Sequence, residues 1–293
     1  MARVAVVTDT THYMPRALVE ELGLHEVSLY VTFEGATERE AEITDLADFY
    51  TRLSSSSEMP GTSQPSVGDF LTVYEPLLDD GATILSIHLS AGISGTFTAA
   101  EQARDQLVER GIDPARLIVL DSATACAGLG MMAIAAASAV RAGASAEEAA
   151  DAAQALRREL KVWFAVDTLE FLRRGGRLGG AQAWLGSTLK IKPILSIESE
   201  ILPVERVRTS GRAFERLIDY LKARHEDGSD TFFIQHIHAP DQAQRLVERG
   251  KEIYGREPEF VSEIGPVIGA HVGPGLLGVS GIPRALLYPG GGG

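Results

Sequence analysis

The sequence contains a single cysteine, Cys126, among its 293 residues, so no disulfide can form within the chain. Basic residues are in the minority: 27 lysines and arginines stand against 40 aspartates and glutamates, which gives a net charge of −13. This balance argues against binding to nucleic acid or to anionic lipid, because both present phosphates that attract a basic surface. A neutral or basic protein partner is compatible with it.

Several sequence patterns that carry chemistry are also absent. There is no P-loop pattern G-x-x-x-x-G-K-[ST], which argues against autonomous ATP chemistry. No acidic or cysteine residue has a spacing from histidine that is typical of a metal site. His236 and His238 alternate in a strand predicted over 231–238, and both are interpreted as ordinary strand residues on one face. We therefore expect neither a metal nor a cofactor.

Long hydrophobic runs are lacking as well. The stretch 122–140 carries no charge, but it is rich in alanine and too weakly apolar for a membrane span. It is interpreted as a buried helix. The amino-terminal letters MARVAVVTDT run directly into a strand pattern, with no visible secretory leader. We expect a cytoplasmic protein without stable membrane insertion.

Strand and helix patterns alternate through the first half of the chain. This alternation predicts a doubly wound, mostly parallel sheet, with binding loops at the carboxyl ends of its strands. Helices are predicted from Pro15, which suits a first helical position, from the N-cap Thr44, and from Ser66, which forms a capping box with Asp69. The predicted strands cover residues 3–8, 27–33, 83–89 and 117–120.

The second half changes character and predicts an α+β domain. Two strands face each other across a tight turn at 198–200, and helices are predicted over 211–224 and 240–254. We place the domain boundary near residue 160, which gives an α/β domain over 1–160 and an α+β domain over 161–293. The further predicted strands cover residues 162–166, 194–197, 201–207, 231–238, 260–264 and 276–279.

Three polar, glycine-punctuated loops suit an anionic group that is held rather than cut. They are GTSQPS at 61–66, SAGISGT at 90–96 and GPVIGAHVGPG at 265–275. The first two precede predicted helices, whose initial N–H groups lack intrahelical partners and favour anions. His271 lies between two glycines and has room to reach a ligand. The plainer alternatives, a capped turn at 61–66 and a structural histidine, remain open.

Ser94 lies where a nucleophile would lie, at the turn between a strand and a helix and near free backbone N–H groups. The sequence there is G-I-S-G-T, which does not satisfy the G-x-S-x-G pattern of a nucleophile elbow. No Asp–His arrangement for a triad is apparent either. A Ser94-dependent esterase, or another small-carboxylate enzyme, is therefore kept as the alternative function.

An arginine cluster follows the predicted strand at 162–166. Arg173, Arg174 and Arg177 surround a glycine-rich turn, and Arg206 and Arg208 share one face of a later strand. Guanidinium groups suit phosphate or carboxylate recognition. A solvated helix end is the alternative interpretation.

Six strings in order resemble the motifs of the DegV family, essentially from end to end of the chain. The opening string departs modestly, since TDTTHYMP replaces the usual TDS-containing start, and Leu276 lies where the family more often has alanine. Neither departure touches a proposed head-group residue. The strings are VTDTTHYMP, TSQPSVGDF, SIHLSAGISGTF, LDSATACAGLG, DTLEFLRRGGRL and GPVIGAHVGPGLLG.

The resemblance implies a protein that binds one long-chain fatty acid between two domains. Family members are the fatty-acid-binding subunit of bacterial fatty acid kinase: they present the carboxyl group to a separate ATP-dependent kinase, which forms the acyl-phosphate, and they carry that product onward. Carried over to this sequence, the carboxylate contacts are Thr62, Ser94 and His271. Secondary contacts are expected at Ser63, Gly95, Thr96 and Gly269, and contacts to the phosphorylated product or the kinase at Arg174, Arg177 and Arg206. No catalytic residue is expected.

Overall fold

The computed structural model describes residues 3–184 and 191–290, and the chain divides into two compact units. The first unit comprises Met1–Tyr30, Ser63–Glu159 and Ala285–Gly293, and the second comprises Val31–Thr62 and Leu160–Arg284. The chain passes from the first unit to the second between residues 159 and 160, while segment 31–62 is part of the second unit and segment 285–293 part of the first. The division into continuous domains over 1–160 and 161–293 stays a prediction.

Strands and helices are numbered here in chain order. The strands are β1 (Val4–Asp9), β2 (His25–Val27), β3 (Tyr30–Phe33), β4 (Ala36–Arg39), β5 (Gly61–Ser63), β6 (Thr83–His88), β7 (Leu117–Asp121), β8 (Val162–Ala165), β9 (Lys192–Glu198), β10 (Glu200–Val207), β11 (Thr231–His236), β12 (Val261–Glu263) and β13 (Leu277–Ile282). The helices are α1 (Arg16–Leu22), α2 (Leu46–Ser55), α3 (Val67–Asp79), α4 (Thr96–Glu109), α5 (Ala127–Arg141), α6 (Ala146–Glu159), α7 (Glu170–Arg174), α8 (Ser210–Glu226), α9 (Pro240–Tyr254), α10 (Pro266–Val272) and α11 (Arg284–Leu287).

The first unit is built on a parallel sheet with strand order β2-β1-β6-β7. This confirms the parallel sheet predicted from the strand–helix alternation. Helices α3 and α4 cover one face with Phe70, Tyr74 and Ala103, all of which are fully buried. The carboxyl ends of β1 and β6 lie side by side, because Thr8 pairs with Ile87 in the register. The loop that carries Ser94 begins at this end of β6.

The alanine-rich stretch forms helix α5, as predicted, and it is buried along most of its length. Met131 and Met132 are almost completely inaccessible to solvent. Gly130 allows close packing, because a Cβ atom at this position would approach the Met14 side chain within 2.9 Å. No helix in residues 3–184 and 191–290 has the length and apolar composition that a membrane crossing requires.

The second unit contains a six-stranded sheet with the order β10-β9-β8-β13-β11-β12. Its pairs are antiparallel except for β11 and β12, which run parallel. Helices α8 and α9 pack on it through a core that includes Phe214, Leu217, Phe232 and Leu246. Sheet and helices confirm the predicted α+β character of this half.

The strand predicted over 27–33 is two strands in different sheets. β2 ends at Val27 and pairs with β1, whereas β3 belongs to a small sheet with the order β4-β3-β5. Between the two strands the Leu29 N–H donates to the Thr10 hydroxyl. This backbone N–H therefore has a hydrogen-bond partner where the chain no longer pairs with β1. An apolar run does not reveal such a change of sheet, and the chain enters the second unit here.

Segment 31–62 belongs to the second unit because two buried side chains tie it to the residues around helix α10. The Tyr50 hydroxyl is 2.6 Å from the Ile264 carbonyl and 3.0 Å from the Gly265 carbonyl. The Glu40 carboxylate accepts a hydrogen bond of 2.8 Å from the Val267 N–H. These contacts join residues more than two hundred positions apart, which local sequence patterns do not predict.

Helix starts agree with the sequence only in part. Ser66 caps α3 in a capping box with Asp69, as predicted. The N-cap predicted at Thr44 is wrong: Asp45 caps α2 by accepting from the Asp48 N–H at 2.9 Å. Both residue types are good N-caps, so the pattern leaves an ambiguity of one position. Pro15 likewise lies at the N-cap of α1 rather than at its first helical position.

Candidate functional site

Thr62 and His271, which are 209 positions apart in the chain, form a hydrogen-bonded pair in the second unit. The Thr62 hydroxyl oxygen lies 2.7 Å from Nε2 of the His271 ring. Thr62 is the central residue of β5, so the predicted loop at 61–66 begins as a short strand. His271 lies in the last turn of helix α10, which corrects the expectation of a histidine within a loop.

Helix α10 is short, and contacts at its start hold it in place. Besides the Glu40 and Tyr50 bonds, the ring of Tyr50 fills the space where a side chain on Gly269 would lie. At the other end Gly273 has a φ of 79° and lies against the Phe171 ring, where a Cβ atom would overlap it. Gly269 and Gly273 therefore permit the packing that orients His271.

The other nitrogen of the His271 ring, Nδ1, is buried and has no hydrogen-bond partner among the described residues. It lies so close to Gly175 that a Cβ atom there would overlap it. Burial, with a smaller contribution from the nearby Arg177 charge, lowers the pKa of His271 to about 4. The ring is therefore neutral at neutral pH, with a hydrogen on only one nitrogen.

Ser94 lies in the first unit, in a loop that is largely hydrogen-bonded to itself. Its hydroxyl lies 2.9 Å from the Thr96 hydroxyl and accepts a bond of 3.3 Å from the Thr96 N–H. The N–H groups of Ile93 and Ser94 donate to the Ser90 carbonyl, each at 3.1 Å. The expectation of free N–H groups in the loop is wrong for these residues, since the turn satisfies them itself.

Gln64 of the loop at 61–66 and Gly95 of the loop at 90–96 lie next to each other within the first unit. The Gln64 side-chain amide occupies the space where a Cβ atom on Gly95 would lie. Gly95 is also the N-cap of α4 and supplies no side-chain cap, and the Ser94 hydroxyl accepts from the N–H of Thr96, the first residue of that helix. Thr96 is fully buried, whereas Ser63 is exposed at the end of β5.

The arginines do not form one uniform patch. Arg174 donates through Nε to the Glu170 carboxylate at 2.6 Å. Arg177 is exposed, donates to the Gly175 carbonyl at 2.5 Å and acts electrostatically on His271. The Arg206 guanidinium lies 5.5 Å from the centre of the Trp184 ring, a cation–π contact. Arg177 is thus the arginine that the structure associates with His271.

Two neighbouring expectations need correction. His238 lies beyond β11, which ends at His236, and its φ of 50° takes it out of the strand conformation. Its N–H donates to the Glu263 carboxylate at 2.9 Å. Arg208 similarly lies beyond the end of β10. Among residues 3–184 and 191–290, no group of three or more histidine, cysteine or acidic side chains is arranged to hold a metal ion.

The family relationship of the chain is clear from its match to known proteins. The DegV family model matches residues 3–284. The chain belongs to the DegV family. It is similar to Protein DegV of Bacillus subtilis, with 36% identity over 282 residues that cover 94% of this chain and 98% of the relative. The resemblance drawn from the ordered motifs is thereby confirmed.

Solved structures of DegV proteins share this fold. A fatty-acid-binding DegV family protein from Thermus thermophilus is 34% identical, with a TM-score of 0.85 over 96% of this chain and 99% of that one. The fatty acid binding protein DegV from Bacillus subtilis is 35% identical, with a TM-score of 0.85 over 95% of this chain and 98% of that one. Both similarities extend over nearly the whole of each chain.

The sequence patterns of this DegV protein did not reveal a polar cluster close to the Ser94 loop. Asp9, at the end of β1, lies 3.1 Å from His88, at the end of β6, and both side chains are fully buried. Burial raises the pKa of Asp9, but hydrogen bonds from His88, Thr11 and Leu89 outweigh it, so that the pKa lies below its ordinary value. The acidic turn after β1 was the available signal, since parallel strands bring their carboxyl ends together.

Proposed function

We propose that this DegV protein binds one long-chain fatty acid and presents its carboxyl group to a separate ATP-dependent kinase. The carboxylate is held by Thr62, Ser94 and His271. The observation that carries the proposal is the Thr62–His271 hydrogen bond of 2.7 Å, in a family whose similar solved members bind fatty acids. A buried carboxylate without hydrogen bonds is very unfavourable, so several converging donors are needed.

The tautomer of His271 determines what Thr62 offers to a ligand. A hydrogen on Nδ1 would be a buried N–H with no acceptor among the described residues, which is rarer in proteins than an unpaired lone pair. We therefore place the hydrogen on Nε2, from which it is donated to the Thr62 oxygen. The hydroxyl hydrogen of Thr62 is then available to donate to the carboxylate, and His271 acts on the carboxylate through Thr62 rather than through a hydrogen bond of its own.

Ser94 supplies a second hydroxyl, and the residues beside it supply further polar groups. Ser94 accepts a hydrogen bond from the Thr96 N–H. With the Thr96 hydroxyl as the donor of the 2.9 Å bond between the two hydroxyls, the Ser94 hydrogen is available for the carboxylate. Gly95 and Thr96 begin helix α4, where N–H groups favour an anion. Ser63 is proposed as a further contact.

Arg177 is the arginine that we assign first to the phosphorylated product. Phosphorylation of the carboxyl group adds negative charge next to the head-group residues, and Arg177 already acts on His271 electrostatically. Arg174 and Arg206 are proposed as contacts to the product or the kinase. Arg174 would have to exchange its bond with Glu170 for the new anion.

The acyl chain supplies most of the affinity in this proposal. At ~0.8 kcal/mol per buried methylene, about fifteen methylenes contribute on the order of 12 kcal/mol before ordering costs. The carboxylate contacts then contribute selectivity for an acid over an alcohol or an ester of the same length. We propose a carrier rather than an enzyme, with phosphorylation carried out by the kinase.

The structure gives little support to the Ser94 esterase alternative. Among the described residues the Ser94 hydroxyl is bonded to Thr96 and not to a histidine, so no base is in place to activate it. Activity towards simple esters that depends on Ser94 would be required to revive this alternative.

Mass spectrometry of the purified protein tests fatty acid binding. We expect a copurified long-chain fatty acid near one per chain, and a marked loss of it in Thr62→Val, which keeps the size of the side chain and removes the hydroxyl. Thr37→Val is the matched control, because Thr37 makes an exposed hydroxyl–hydroxyl bond of 2.8 Å with Thr32 in the same small sheet. No copurified lipid, together with no binding of added fatty acid, would contradict the proposal.

Hydroxylamine trapping tests presentation to the kinase. Acyl-phosphate reacts with hydroxylamine to give a hydroxamate, so we expect hydroxamate from lipid-loaded protein mixed with ATP and the purified kinase subunit of a bacterial fatty acid kinase. Protein with ATP and no kinase should give none. Hydroxamate formed without the kinase would contradict the carrier role, and none with the kinase would contradict presentation.

A further inference from the structure

A chain of buried hydrogen bonds connects helix α3, strand β6 and the end of strand β1 in the first unit. The Tyr74 hydroxyl donates to the Ser86 oxygen at 2.7 Å, and the Ser86 oxygen lies 2.6 Å from Nε2 of His88. The other ring nitrogen, Nδ1, lies 3.1 Å from the Asp9 carboxylate. All four residues are fully buried.

Each hydrogen bond in this network is donated in the same direction, towards Asp9. An ionised Asp9 only accepts, so His88 donates from Nδ1. Ser86 already accepts from Tyr74, and it satisfies its own hydrogen by donating to Nε2 of His88. The sequence of donors therefore runs from Tyr74 through Ser86 and His88 to Asp9, and every member has a partner.

Ser86, His88 and Asp9 have the order of a hydrolytic triad, but their surroundings exclude that role. The Ser86 side chain has no solvent-accessible surface, so a substrate carbonyl cannot reach it in this structure. Its oxygen is also occupied by the Tyr74 hydroxyl. The network is therefore structural, and its role depends on which part of the backbone it holds in place.

What it holds is the start of the loop that carries Ser94. One Asp9 oxygen accepts a bond of 2.9 Å from the N–H of Leu89, the first residue after β6. The other accepts from the N–H and the hydroxyl of Thr11, at 3.1 and 2.5 Å. The next residue, Ser90, then anchors Ser94 through its carbonyl. Asp9 thus fixes the point from which the Ser94 loop departs.

We propose that Asp9 is a positioning residue for the fatty acid head group, which it affects through the Leu89–Ser94 loop without touching the ligand. This inference rests on the proposed function and deepens it. A rigid support is what a hydroxyl donor needs in order to favour a carboxylate over other head groups, because a displaced donor loses the charge-assisted bond first.

Comparison of two ligands tests this role. Asp9→Asn removes the negative charge and replaces one carboxylate oxygen by an NH₂ group. That group is itself a donor and would face the donors that now bind the carboxylate. We expect the affinity for a long-chain fatty acid to fall about tenfold, while the affinity for the alcohol of the same chain length stays within about twofold, since the alcohol makes no charge-assisted bond. Asp113→Asn is the control, because Asp113 accepts the Ala115 N–H on the exposed surface of the same unit.

A double-mutant cycle tests the route through Ser94. In a Ser94→Ala background, the selective loss caused by Asp9→Asn should shrink to within about twofold, because the group that Asp9 positions is gone. Equal losses for acid and alcohol, or an undiminished loss in the Ser94→Ala background, would overturn the proposal. If wild-type protein binds no fatty acid, the proposed function fails instead, which is a different result.

A second variant covers the case in which Asp9→Asn does not fold. Thr11→Val removes one hydroxyl donor from the same carboxylate and leaves its charge in place. We expect a smaller loss, of about threefold, that is again selective for the acid over the alcohol. A folded Thr11→Val protein with wild-type selectivity would overturn the proposal.

Discussion

The two units orient their proposed head-group residues by different means. In the first unit a fully buried carboxylate, Asp9, accepts hydrogen bonds at the end of a parallel sheet and anchors the Ser94 loop. In the second unit Glu40 and Tyr50, both on an inserted segment, hold the start of the helix that carries His271. The support in the first unit is built on the parallel sheet. The support in the second unit is built on segment 31–62, which precedes the rest of that unit in the sequence by about a hundred residues.

This difference predicts how well each support tolerates substitution of its side chains. The Asp9 charge is isolated from water and satisfied only by the groups around it, so its removal leaves several donors unpaired. The Glu40 and Tyr50 bonds hold helix α10 at its first turn, and the His271 ring at its last turn still has an unpaired nitrogen. We expect the first support to be the more costly to break and the second to be the more adjustable.

The largest effect is expected for Asp9→Asn on stability. Since four hydrogen bonds converge on this buried carboxylate, we expect the free energy of unfolding to fall by about 3 kcal/mol in urea titrations. The exposed control Asp113→Asn should change it by less than about 0.5 kcal/mol. If both variants changed the free energy of unfolding by a similar small amount, the Asp9 support would not be the more costly one to break.

Glu40→Ala should have the next largest effect. The substitution leaves the Val267 N–H without its acceptor at the start of helix α10, which costs about 2 kcal/mol in the same titration. Glu38→Ala in β4 is the matched control, since Glu38 is exposed. A loss for Glu40→Ala larger than that for Asp9→Asn would reverse the ranking of the two supports.

Gly175→Ala tests whether the His271 ring depends on the space that Gly175 leaves. The backbone at Gly175 is helical and accepts alanine, but the new methyl group would overlap Nδ1. We expect a cost of about 1.5 kcal/mol and a displaced His271 ring, visible as a change in its NMR signals. Gly211→Ala, in helix α8 with open space around it, is the control and should not destabilise the protein.

The sequence predicts those features of the fold that arise within a few residues. The Ser66–Asp69 capping box and the alternation of strands and helices in the first half are local, and the structure confirms both. The change of sheet after Val27 depends on which ladder the next strand joins, and apolar periodicity contains no information about this. The membership of segment 31–62 in the second unit is unpredictable for the same reason.

For the candidate site, residue types are more predictable than their partners. The polar loops and the family motifs pointed to Thr62 and His271, and the structure places these two in contact. Asp9 and His88, 79 positions apart, come together only once β1 and β6 are paired in register. The sequence offers donors and acceptors, but the sheet decides which of them meet.

The smallest effect concerns the pH dependence of the second unit. In the folded protein the pKa of His271 is about 4, against an ordinary value of 6.5, so the unfolded chain binds a proton that the folded chain does not. The stability that this neutral ring contributes is fully present above pH 6.5 and is lost as the pH falls towards 4. We expect the wild type to lose about 1 kcal/mol more than His271→Asn does between about pH 7 and about pH 5, after allowance for solvent screening. His25 and His236, whose pKa values burial also lowers, are present in both proteins, so their contribution cancels in the comparison. Parallel losses in ligand-free wild type and variant would show that the His271 ring is free to leave its buried position, and the second support would then be looser than its hydrogen bonds indicate.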